Sequence, residues 1–161
     1  MKNLIRALST LALAALLTAC GGGGDSDFAG DKYIGTWVMC RQTGTAQWEK
    51  ETLTITAGST PNTLAFTNST AAYFNAQCTG AFGTPDLQSG TISSFNGTKT
   101  IGFDTVDQVF IGNGGLGEKQ ILVIRTTNPL TLFTGRSASD GGTLDANGYP
   151  TALETDPFVR Q

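Results

Sequence analysis

Lys32-Tyr33-Ile34-Gly35-Thr36-Trp37-Val38-Met39-Cys40 is the stretch on which the fold turns. In an extended chain successive side chains point to opposite faces. Tyr33, Gly35, Trp37 and Met39 therefore share one face, and Ile34, Thr36, Val38 and Cys40 the other. Apolar residues stand on both, so a strand built from them must be covered on both sides. Gly35 lies two residues before Trp37 and leaves no side chain on the Trp37 face, which makes room for close packing at a barrel floor.

Outward from this stretch the texture stays strand-like. Residues 33–40, 52–55, 64–67, 72–78, 91–95, 100–104, 108–111, 120–126 and 130–134 are short runs rich in Val, Ile, Thr and aromatics. Turn signals separate them: Ala57-Gly58-Ser59, Gly83-Thr84-Pro85-Asp86, Asn96-Gly97 and Gly112-Asn113-Gly114-Gly115. Asn96-Gly97 is the strongest hairpin signal, because both residues tolerate the positive φ of a type I′ turn. No stretch beyond residue 19 holds a sustained helical period. The expectation is an all-β fold, an antiparallel up-and-down barrel of about eight strands, in one domain over 32–161.

Lys32, Tyr33, Gly35 and Trp37 match the K-Y-x-G-x-W opening of the lipocalin and fatty-acid-binding (calycin) superfamily, which this strand resembles. The resemblance implies a lipocalin-like barrel with Trp37 at its floor and a late-strand arginine stacked on the indole. Arg125 is the candidate for that cation. The chain carries no T-D-Y motif in its middle and no visible helix near its C-terminus. The resemblance is therefore to a looser lipocalin-like barrel.

The N-terminus divides as a secretory signal does: Lys2 and Arg6, an apolar core over 11–17, then small residues. The core is shorter than the roughly 20 apolar residues of a transmembrane helix. Leu17-Thr18-Ala19-Cys20 resembles a bacterial lipobox. That resemblance implies a signal peptide over 1–19 and Cys20 as the diacylglyceryl (palmitate-type) attachment site. It also implies a lipid-anchored place in the bacterial cell envelope, with Gly21 after the cysteine resembling the signal for the outer membrane. Residues 20–31 read as acylated cysteine plus tether, since Gly21-Gly22-Gly23-Gly24-Asp25-Ser26-Asp27 offers nothing to repay ordering. As a Gly-rich coil, residues 21–31 reach roughly 18 Å.

Outside the cytoplasm, the pair Cys40 and Cys78 reads as one disulfide. A loop of that length is worth roughly 4 kcal/mol in the chain-entropy argument. Loss of residues 1–19 removes two of ten basic residues and none of thirteen acidic ones, leaving eight against thirteen, or −5. No two Lys or Arg are adjacent, so nucleic acid is not an expected partner, and the acyl chain is the only membrane signal.

The chain has no histidine. That removes Ser-His-Asp and Cys-His catalysis and the commonest zinc ligand. Asp104 with Asp107 and Glu154 with Asp156 are carboxylate pairs that read as loop charges. Phosphate-loop and dinucleotide motifs are missing. No enzymatic activity, cofactor or metal is expected. Asp145-Ala146-Asn147-Gly148 lacks EF-hand spacing and reads as an Asx turn, with Tyr149 and Pro150 pinning the tail across the barrel's mouth or wall.

Three function classes follow, of which an enzyme using carboxylates is disfavoured by the loop-charge reading of those pairs. A hollow barrel would bind a small apolar or amphipathic ligand. A packed one would act through its surface, as an envelope scaffold or a lysozyme-type protein inhibitor. Phe66, Phe74, Phe95, Phe103, Phe110, Phe133 and the two tryptophans are enough aromatic volume to fill an eight-stranded interior, which favours a filled barrel or narrow pocket.

Overall fold

A computed structural model describes residues 28–80 and 82–161. The signal, the lipobox with Cys20 and most of the tether lie outside the described residues.

The strands are β1 (Gly35–Gly44), β2 (Gln47–Ala57), β3 (Leu64–Tyr73), β4 (Phe82–Ser93), β5 (Thr98–Ile101), β6 (Asp104–Asn113), β7 (Leu116–Arg125), β8 (Thr131–Thr134) and β9 (Phe158–Arg160). Each pairs antiparallel with its neighbours, in the order β4-β3-β2-β1-β9-β8-β7-β6. Pairing of β4 with β6, through Thr91–Gly112, Ile92–Ile111 and Ser93–Phe110, closes the sheet into an eight-stranded barrel. Gly90 flanks this seam; a Cβ there would overlap the Gly112 carbonyl oxygen and the Phe66 ring. The closing ladder is short, and residues 86–89 of β4 pair with β3 alone.

β5 is not a separate stave. It pairs with the start of β6 on the side that β4 uses further along. Hydrogen bonds from Asn96 N to Gln108 O and from Gln108 N to Gly97 O, both 2.9 Å, bridge the gap. β4 and β5 are thus one stave broken at 94–97. The Asn96-Gly97 hairpin expectation is corrected accordingly: the residues make a break, and the hairpin falls six residues on, at Gly102-Phe103, where Gly102 has φ 61°. The turn at Gly114-Gly115 lies where its glycines place it, with φ 57° and 91°.

Three other expectations differ. The turn signal 83–86 lies inside β4, where pairing slips between Thr70 and Ala72 of β3 and residues 83–85 form a bulge that tolerates Gly83 and Pro85. Residues 72–78 are the end of β3 and a loop. β9, only three residues long, carried too few residues for a periodic signal.

A 3-10 turn, Asp31–Tyr33, caps one end of the barrel. Tyr33 and Trp37 are fully buried there, and the Trp37 Nε1–H donates to the Tyr33 carbonyl at 2.8 Å. Phe28 and Phe95 meet edge to face at 4.9 Å beside them. The 136–157 segment crosses the outer wall: Tyr149 packs with Val106, Ile121, Val123 and Phe133 in a second cluster, outside the barrel. Lys99 Nζ fastens it, donating to Asp145 Oδ2 at 2.6 Å and to the Pro150 carbonyl at 3.1 Å. Of the mouth and the wall, Tyr149 and Pro150 cover the wall.

Candidate functional site

Alternation decides what faces inward. β1 and β2 pair Trp37 with Leu53, Met39 with Glu51 and Arg41 with Glu49. β2 and β3 pair Leu53 with Asn68 and Ile55 with Phe66. The inward face of β2 therefore reads Glu49, Glu51, Leu53, Ile55: polar at the open end and apolar toward the capped end. β7 repeats the gradient with Glu118, Gln120, Leu122 and Ile124, since Gln120 faces Val109 and Leu122 faces Asp107.

These faces enclose a cavity of about 460 Å³. Its depth is lined by Ile55, Phe66, Ile92, Leu122, Leu132 and Phe158, and its mouth by Glu51, Asn68, Gln88, Glu118 and Gln120. The size falls within the range of small-molecule sites. Four of the six phenylalanines expected to fill the interior do not: Phe74 and Phe103 are exposed, Phe110 is partly so, and Phe133 belongs to the outer cluster. On β6 and β8 these phenylalanines stand out of phase with inward-facing Val109, Ile111 and Leu132, so alternation turns them outward.

The mouth carries a linked set of charges. Arg41 Nη2 lies 2.8 Å from Glu49 Oε1 and 3.0 Å from Glu51 Oε1. Asn68 Nδ2 donates to Glu51 Oε2 at 3.2 Å, while Asn68 Oδ1 is buried with no hydrogen-bond partner among the described residues. The Glu51 side chain is 15% exposed. Burial raises its carboxyl above the ordinary value; the Asn68 hydrogen bond and the Arg41 charge pull it down without cancelling that effect, and Glu49 pushes it further up.

At the capped end Asp107 accepts from the Tyr33 hydroxyl at 2.7 Å and faces Lys32 Nζ at the same distance. Burial, then the hydrogen bond and charge of Asp107, push the Tyr33 phenol far above its usual range, so it stays a donor. The Lys32 and Tyr33 of the sequence motif thus meet a buried carboxylate.

Arg125 does not reach Trp37. It stacks on Phe133 at 4.1 Å and forks onto Asp104 at 2.7 and 3.1 Å. The cation over Trp37 is Arg160, 5.4 Å from the ring, which also donates to the Ile34 carbonyl at 3.0 Å. β1 pairs with β9, placing Trp37 opposite Arg160, whereas Arg125 ends β7, three staves from β1. Gly35 leaves the space: a Cβ there would lie 3.3 Å from the Arg160 guanidinium, and its φ of 149° disfavours other residues.

Cys40 and Cys78 are joined, with Cα atoms 6.1 Å apart. The bond ties β1 to the loop after β3. Asp104 and Asp107 engage different partners, Arg125 and the Lys32–Tyr33 pair. Asp145 Oδ1 accepts from the Asn147 and Tyr149 backbone N–H groups at 2.9 and 3.0 Å, as an Asx turn does. Among the described residues no group of three or more Cys, Asp or Glu is placed to hold a metal ion.

Sequence reading missed Glu51, Asn68, Gln88 and Gln120. The signal was there in Glu49-x-Glu51-x-Leu53-x-Ile55, had the alternation of 52–55 been followed toward the N-terminus. The chain matches no protein-family model, no curated protein and no solved structure.

Proposed function

We propose that this protein is a lipid-anchored lipoprotein of the bacterial envelope, held at the outer membrane through Cys20, whose lipocalin-like barrel binds a small amphipathic molecule. The cavity of about 460 Å³, apolar in its depth and polar at its mouth, carries the reading. Lys32, Tyr33, Gly35 and Trp37 at the capped end, with Arg160 over the indole, support the lipocalin likeness. The reading assigns no catalytic role to the chain.

Titration with an environment-sensitive apolar dye tests it. The protein is expected to take up the dye with saturation, and Leu53→Trp, which narrows the cavity, to lose uptake while keeping its far-UV spectrum. Absence of saturable uptake by the parent protein contradicts the reading. A second reading, action through the outer surface as a scaffold or a lysozyme-type inhibitor, is favoured by the exposed Leu87, Phe103 and Leu116 side chains.

A further inference from the structure

We propose that the barrel's mouth selects an amphiphile with a cationic, hydrogen-bond-donating head, a protonated amine, against a carboxylate or phosphate head. This rests on the cavity-binding reading and adds the chemistry of the head group.

Three observations on the mouth agree. Its described lining is rich in acceptors: Glu51, Glu118, and the side-chain carbonyls of Asn68 and Gln88, with no lysine or arginine among the described lining residues; the Gln120 carbonyl is already engaged by the Ile121 N–H at 2.8 Å. Arg41, the cation in contact with Glu51, is already divided between Glu49 and Glu51. Asn68 Oδ1 is a buried acceptor lacking a donor among the described residues, and its amide orientation is set by the bond its Nδ2 gives to Glu51. An orphan acceptor in a native site calls for a partner that the ligand would supply. A carboxylate or phosphate head would meet the negative charge of Glu51 and Glu118 with no lysine or arginine among the described lining residues to offset it. An ammonium brings three donors and a positive charge.

The tail follows from geometry. Glu51 and Ile55 stand four residues apart on one face of β2, roughly 13 Å along the strand. A decyl chain extended downward from Glu51 would therefore lie against Leu53, Ile55, Phe66 and Leu132. The raised Glu51 carboxyl fits this assignment, because a buried carboxylate sharing its arginine is short of positive charge that a ligand can add.

Calorimetric titration of detergent-free protein with decylamine, decanoate and decanol tests the assignment. Decylamine is expected to bind at least about tenfold tighter than decanoate. Glu51→Gln should weaken decylamine by at least about tenfold while leaving decanol within about threefold, and Asn68→Leu should also weaken decylamine. Leu53→Trp should abolish binding of all three, which separates cavity binding from adsorption of a cationic surfactant to an acidic surface. Decanoate binding as tightly as decylamine, or decylamine affinity unchanged in Glu51→Gln, overturns the head-group assignment and leaves the cavity reading standing. Failure of all three probes to bind overturns both.

Discussion

The Tyr33 hydroxyl and the Asp107 carboxylate lie 2.7 Å apart at the capped end of the barrel, where the tyrosine is fully buried and the aspartate is 7% exposed. The bond joins the 3-10 turn before β1 to β6, across 74 residues of chain. Lys32 adds a second partner to the same oxygen at 2.7 Å. The floor is thus held by a charge-assisted bond that requires the carboxylate to stay ionised and the phenol to stay protonated. Tyr33→Phe keeps the ring's packing and deletes only the donor. Chemical denaturation should register a loss of about 1–3 kcal/mol with an unchanged m value.

Arg160 and Arg125 make a discriminating pair. Arg160 covers Trp37 and donates to Ile34, on a strand of three residues that closes the ring between β8 and β1. Arg125 pairs with Asp104 at the surface, its side chain 45% exposed. Arg160→Ala should cost about 1–2 kcal/mol and alter the Trp37 fluorescence, while Arg125→Ala should cost less than about 1 kcal/mol and leave the emission unchanged. Equal effects would place the working cation elsewhere.

The Cys40–Cys78 bond pins the loop after β3 to β1, passing over β2. Double replacement by serine should lower stability by roughly 2–4 kcal/mol, less than the chain-entropy figure if the reduced state retains structure. A thiol assay on the unfolded parent should find both cysteines blocked; free thiol together with an unchanged melting temperature would refute the bond.

Glu51 predicts a pH signature. Burial raises its carboxyl in the folded state, so folded protein holds that proton more tightly than the unfolded chain. Its contribution is therefore most favourable below the unfolded value and declines as pH rises through the folded one. Glu51→Gln cannot ionise and escapes that decline. Thermal melts should move in the variant's favour, relative to the parent, between pH 4 and pH 7. A shift in the parent's favour over that interval would show that Arg41 and Asn68 outweigh the burial.

What was legible in the chain follows from which signals are local. The strand through Trp37 announced the buried face of Tyr33, Trp37 and Met39, though its other face, Ile34, Thr36, Val38 and Cys40, is half-buried to exposed and not covered as expected; the paired glycines at 114 and 115 announced their turn, because each depends on neighbours in sequence. The broken stave at 94–97 could not be read, since Asn96-Gly97 has hairpin chemistry and only its bonds to Gln108 settle its role. Arg160 was hidden for the same reason: its place over Trp37 comes from closure of the ring by β9, a long-range pairing. Of the filled barrel and the narrow pocket that the aromatic count allowed, the structure has a pocket, because the phase of each phenylalanine along its strand decides where its ring goes. Phe110 and Phe133 fall on the outward phase of their strands, so volume that seemed bound for the core lies outside it.

Native mass spectrometry of the protein purified from its own host without detergent tests the central claim, that the barrel is a receptacle for an amphipathic molecule. The account predicts a reproducible adduct, released by organic solvent, absent from Leu53→Trp and carrying a basic nitrogen. A clean apo mass, together with no uptake of an apolar dye, would contradict it.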